Sequence, residues 1–340
     1  AAQVAAWAKK EGIEAANAVN APGKWRRLLK LHTPAGILRA SLRTCLLWAL
    51  SQRHKPARNL DDRHLVIATL THPQSFSNPD GYRDAYFGKL ADHVSSSGHK
   101  PVVLATLVEQ PFQQLKRLKA LEHSVPIIPL ESCLSPAALL ACTLRSLAVY
   151  LRPRRLRGPM EIDGIDLSCL VKRAVNEARH SGDLYLNLRV SYCARGLART
   201  IRIDRCLYPF ENRSWEKMLV LGLSSASPRT RIVGYQHASL TMSHTNFMLG
   251  PEEAAVTPLP MAILTTGRVV TEWLEGEGNF PPGIFKTACA LRQGQPAQAR
   301  AKTGGAEGAR VLVALATSLE EYVNTLSFLE QAFAGVDGYD

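Results

Sequence analysis

Two kinds of segment alternate along most of the chain. Short, unbroken apolar runs such as HLVIATL (64–70), PVVLATL (101–107) and TRIVGYQH (230–237) are followed by stretches whose apolar positions recur at helical spacing. A strand that is apolar throughout is one buried on both faces, as in a parallel sheet covered by helices on each side. VPIIPLESC (125–133) reads as a third strand weakened by its prolines, and IRIDRCLYPF (201–210) as the fourth. MAILTTG (261–267) and IFKTACALR (284–292) continue the series. Between them fall helices read from YRDAYFGKLADHVSSSG (82–98), SPAALLACTLRSLAVYL (135–151), DLSCLVKRAVNEARHSG (166–182), RSWEKMLVLGLSSA (213–226) and RVVTEWLEGEG (268–278). Ser135 and a first-turn proline mark one helix start, Asn212 another, and Asp166 a third.

This rhythm predicts an α/β domain with a doubly wound, mostly parallel sheet over residues 61–292. Residues 1–60 are basic and helix-like. In GILRASLRTCLLWALSQRHK (36–55), Leu38, Leu42, Cys45, Leu46 and Ala49 share one helical face. Such a face suits either packing on the body of the protein or docking on an anionic membrane surface. Residues 293–309 are rich in Gly, Ala, Gln and Lys and read as a linker; 310–340 restart the pattern with one strand and one helix, the expected start of a truncated second domain.

Composition narrows the classes. The 340 residues are 46% hydrophobic and 21% charged, a globular balance, and the formal charge of +12 favours anionic partners. Seven scattered cysteines with no CxxC pair read as reduced residues in a cytoplasmic protein, with no metal site expected. No GxxxxGK[ST] loop, GxGxxG turn or nucleophile elbow is present, which argues against P-loop, dinucleotide and α/β-hydrolase chemistry. The arginines are dispersed without interleaved aromatics, so nucleic acid is not an expected partner.

In doubly wound folds the working residues follow the carboxyl ends of the strands. That rule selects Thr71 and His72, Glu131, Tyr208 to Arg213, Gln236 and His237, and Thr265 to Gly267. In YPFENRSWE (208–216), Glu211 and Asn212 fall on a strand-to-helix turn, where a carboxylate can act as a general base and Arg213 can meet a phosphate. The same residues can equally pin neighbouring loops. His237 can donate to a phosphate or relay a proton. THPQSFSNPDGYRD (71–84) offers His72 and Asp80 to an acceptor, or is a plain connector. EIDGID (161–166) offers Asp163 and Asp166 as reserve carboxylates, or offsets the nearby RPRRLRG tract.

HPQSFSNPDGYRDAYFGKL (72–90), YPFENRSWEKML (208–219), GYQHAS (234–239) and PLPMAILTTGRVVTEWL (258–274), taken in order, resemble bacterial surface-carbohydrate biosynthesis proteins, glycosyltransferases of the two-Rossmann GT-B architecture. The resemblance implies a Rossmann-like acceptor-side domain and metal-independent sugar transfer from a nucleotide sugar to a glycan or lipid-linked glycan acceptor, without a cofactor. The reduced cysteines point to a cytoplasmic location, and the basic faces suit peripheral docking at the inner face of the cell membrane. Under the resemblance Glu211 is base or acceptor anchor, His237 and Arg213 meet phosphate or acceptor, and Asn212, Gln236, His72, Asp80 and Thr266 line the substrate. Donor contacts are expected beyond Asp340, so this stretch alone is expected to be inactive. A non-catalytic scaffold of a polysaccharide assembly complex, or a basic nucleic-acid-binding protein, is the alternative.

Overall fold

In a computed structural model of the chain, the described residues are 34–76, 82–120, 125–151, 160–162, 165–180, 182–241, 244–250, 252–291 and 319–334. Two compact units divide near residue 293. In the second, the described part is a helix, Leu319–Phe333; the strand expected at 310–318 lies outside the described residues, as do 1–33.

The first unit is built on a seven-stranded sheet. Its strands are β1 (Asn59–Thr71), β2 (Lys100–Leu107), β3 (Ile127–Pro129), β4 (Ile201–Pro209), β5 (Arg231–Tyr235), β6 (Ala262–Thr265) and β7 (Phe285–Thr287). Every pairing in it is parallel and the order is β3-β2-β1-β4-β5-β6-β7. The chain walks outward from β1 to β3, then crosses back to lay β4 on the other side of β1. This is the Rossmann-like order, with its topological switch between β1 and β4. Burial follows the period of two along each strand: Val66, Ala68, Val102 and Leu104 enter one core, while Ile67, Val103 and Ala105 face the other side. Both faces are therefore covered, as the unbroken apolar runs require.

The longer helices are α1 (Pro34–Ser51), α2 (Leu90–Ser96), α3 (Pro111–Ala120), α4 (Pro136–Leu151), α5 (Ser168–His180), α6 (Asp183–Ala198), α7 (Ser214–Ala226) and α8 (Arg268–Glu277). Several findings depart from the sequence expectations, and α3 is one element the sequence reading passed over. The segment 82–98 is helical only over α2, because Asp84 is buried and folds the preceding residues into turns; its carboxylate accepts the Tyr86 and Phe87 N–H groups, both at 2.8 Å. Helix α6, unforeseen in the sequence, lies at the centre of the helical layer against α4 and α7.

Helix α1 does pack on the body, but through the face opposite Leu38, Leu42, Leu46 and Leu50. Ile37, Thr44, Leu47 and Ser51 are buried, and Trp48 Nε1 donates to the Leu134 carbonyl at 3.0 Å. Leu38, Leu42, Leu46 and Leu50 are exposed. Among the described residues no helix is long and apolar enough to cross a membrane.

Candidate functional site

The carboxyl edge of the sheet gathers a chain of polar side chains from successive loops. Glu109 follows β2, His72 follows β1, Glu211 follows β4, His237 follows β5 and Thr266 follows β6. His237 Nε2 lies 3.4 Å from Glu211 Oε1, and Arg213 Nε lies 3.4 Å from Glu211 Oε2. The two carboxylate oxygens thus face different cations or donors. His237 is 4% exposed at its side chain and Glu211 is 36% exposed, so the imidazole sits inside while the carboxylate reaches the surface.

Tyr86 stands edge-on to the His237 ring, with centroids 4.6 Å apart at 87°, and its hydroxyl is 3.2 Å from His72 Nε2. His72 Nδ1 is in turn 3.5 Å from Glu109 Oε1. Glu109, His72, Tyr86, His237, Glu211 and Arg213 therefore form one continuous line across the edge, passing the switch point between β1 and β4. A ligand crossing that point meets carboxylates, imidazoles and a guanidinium at fixed positions.

The loop that carries Glu211 is tightly built. Pro209 ends β4, and the Phe210 N–H donates to the Tyr235 carbonyl at 2.7 Å, tying this loop to β5. Asn212 then takes a left-handed conformation (φ 55°), which asparagine tolerates better than most residues. It does not cap α7 as the sequence suggested: the capping position is Arg213, which makes no side-chain cap bond. The Asn212 amide instead donates to the Asn246 carbonyl at 2.7 Å, and the Asn246 amide returns a bond to the Glu211 carbonyl at 2.5 Å. The positive φ draws the side chain away from the helix start and into this reciprocal clasp.

Capping falls to Glu216, which the sequence reading passed over. Its two oxygens each lie 3.1 Å from the Glu211 N–H, and the N–H groups of Arg213 and Asn212 also bond to it. A glutamate three residues past the capping position, reaching back to the backbone, is the reciprocal half of a capping box, and that spacing was the available signal. Glu216 is 1% exposed, and burial pushes its carboxyl up to about 8 against the pull of those donors.

Other expected residues have mixed placements. Gln236 is fully buried, its amide donating to the Ala238 carbonyl and its oxygen accepting from the Thr266 hydroxyl at 3.3 Å, so both residues hold the loop that presents His237. Glu131 is buried in an ion pair with Arg189, which satisfies it within the fold. Asp166 receives the Ser168 N–H at 2.8 Å at the start of α5 and forms a two-stranded ladder with Glu161. Asp80 and Asp163 lie outside the described residues. Tyr86 and Asn246 had no signal in the sequence, because their roles come from contacts between separate loops. Among the described residues no group of three or more His, Cys, Asp or Glu side chains is arranged to hold a metal ion. Set beside known proteins, the chain matches no family model, no curated protein and no solved structure.

Proposed function

We propose that the carboxyl edge of this sheet transfers a glycosyl group from a nucleotide-activated sugar to a hydroxyl of a glycan or lipid-linked acceptor. The observation that carries the reading is the Glu211–His237 pair, 3.4 Å apart on adjacent strand ends beside the switch point. Glu211 takes the proton of the acceptor hydroxyl. The acceptor oxygen bonds to the anomeric carbon as the bond from that carbon to the donor phosphate breaks, and the nucleotide leaves with the electron pair. Arg213, planar and 58% exposed, meets the charge that grows on the departing phosphate. His237 fixes the carboxylate from the protein side, itself held by the Tyr86 edge. The sugar-transfer identity rests on the resemblance of the loop motifs; the acid–base role rests on the geometry.

The test is turnover of the full-length protein on a panel of uridine, cytidine and guanosine sugar nucleotides. Glu211→Gln is expected to lower kcat by about 100-fold or more, the usual worth of a positioned base. Its melting temperature should stay within about 2 °C of wild type, since the side chain is partly exposed and only its backbone enters the clasp. Undiminished turnover in the variant, or a wild-type protein that neither binds nor turns over any sugar nucleotide, overturns the reading.

A further inference from the structure

A second feature lies at the opposite edge of the sheet, where β1 and β4 begin. Lys55 precedes β1, and Arg199 and Thr200 precede β4; the nine residues of β4 put about 30 Å of strand between them and Glu211. A cavity of about 390 Å³ opens there, within the size range of small-molecule sites. Lys55, Arg195 and Arg199 line it, and among the described residues no aspartate or glutamate does.

The amino end of α4 closes the cavity through Ser135 and Ala137. Ser135 Oγ accepts the Ala138 N–H at 3.1 Å, and Pro136, which has no N–H, opens the helix. On the facing wall the Tyr192 ring carries two guanidiniums, Arg145 at 5.7 Å and Arg195 at 5.8 Å from its centre. The Tyr192 hydroxyl and Arg195 Nε are buried atoms with no hydrogen-bond partner.

Arg195 and Arg199 close α6, and cations at a helix carboxyl end offset its dipole. That accounts for two of the three charges. It does not account for Lys55 and the positive end of α4 sharing the same space, an arrangement of like fields that favours an anion between them. The Cys133 thiol in the wall is no nucleophile, because burial pushes it up to about 12.

We propose that this cavity is a binding site for a phosphate-bearing ligand, held by Lys55, Arg195 and Arg199. The site stands independently of the transfer chemistry proposed for the carboxyl edge. The phosphate can belong to a free metabolite or to a lipid headgroup, and two probes separate these sources: inorganic pyrophosphate followed by calorimetry, and flotation with vesicles of phosphatidylglycerol in phosphatidylcholine.

Pyrophosphate binding that weakens about tenfold for each cation removed in Arg195→Gln and Arg199→Gln supports a soluble ligand. Vesicle binding without pyrophosphate binding, lost in the same variants, supports a headgroup. Lys116→Gln, exposed on α3 and not among the lining residues, should leave either signal unchanged. If the α6 variants fail to fold by circular dichroism, exposed Lys55→Gln supplies the same comparison. Binding of neither probe, or binding that survives removal of the cations yet is lost with Lys116→Gln, overturns the proposal.

Discussion

Replacing Gly196 with alanine is expected to destabilise the sheet domain by more than about 3 kcal/mol, although alanine is the better helix former by about 1 kcal/mol. Gly196 lies inside α6, where a Cβ would sit 1.9 Å from the Cys133 carbonyl oxygen. Ordinary contact needs well over 3 Å, and the obstacle is backbone in a short 3₁₀ turn, Leu130–Cys133, that cannot swing aside as a side chain would. That turn carries buried Glu131, paired with Arg189 on the same helix, so moving it also strains a buried ion pair. Steric overlap therefore outweighs propensity. Gly276 in α8 supplies the opposite case: a Cβ there meets nothing within 4 Å, and Gly276→Ala should stabilise by up to about 1 kcal/mol. Thermal melts of the two variants should move in opposite directions, with Gly196→Ala lower by roughly 10 °C. A Gly196→Ala protein as stable as wild type would show that α6 does not approach the turn this closely.

That same helix shows where sequence reading loses its grip. The strands were legible because burial on both faces leaves a run with no polar interruption, and the runs at 64–70 and 101–107 fall within β1 and β2. Glu211 and His237 were legible as a consequence, since strand ends locate the edge at which side chains converge. Helix α6 was not, because it is enclosed by α1, α4, α7 and the 3₁₀ turn. Tyr185, Arg189, Ser191, Cys193 and Leu197 are all buried, so polar and apolar residues mix and no stripe emerges. Arg189 belongs there only because Glu131 reaches it from 58 positions away. On α1 the period found the leucine face but could not show that the face bearing Thr44 and Ser51 packs inward, with Ser51 Oγ returning its proton to the Trp48 carbonyl. Periodicity reports that a helix has two faces; the tertiary contacts decide which is covered.

The stability of the domain is expected to fall as pH rises from about 5 to about 8, and Glu216 is the group responsible. Its carboxyl is pushed up to about 8 in the fold, chiefly by burial, from the 4.5 ordinary for a glutamate, which stands for the unfolded chain. Between those values the native protein holds a proton that the unfolded chain has released, so each step upward in pH favours unfolding. Below the window both states are protonated and the residue has no effect; above it the native state carries a buried charge beside Glu211 at its full cost. Each unit of separation corresponds to about 1.4 kcal/mol, so the loss across the window is on the order of a few kcal/mol. Glutamine matches the protonated acid in shape and keeps an oxygen for the N–H groups at the start of α7. Glu216→Gln should therefore equal wild type near pH 5 and surpass it at pH 8, and the difference between the two proteins in guanidinium melts isolates this residue from every other group. A difference that does not change with pH would mean that Glu216 is ionised in the fold throughout. In that case the donors from residues 211–213 would outweigh burial, and the loop presenting Glu211 would rest on a buried carboxylate in place of a buried acid.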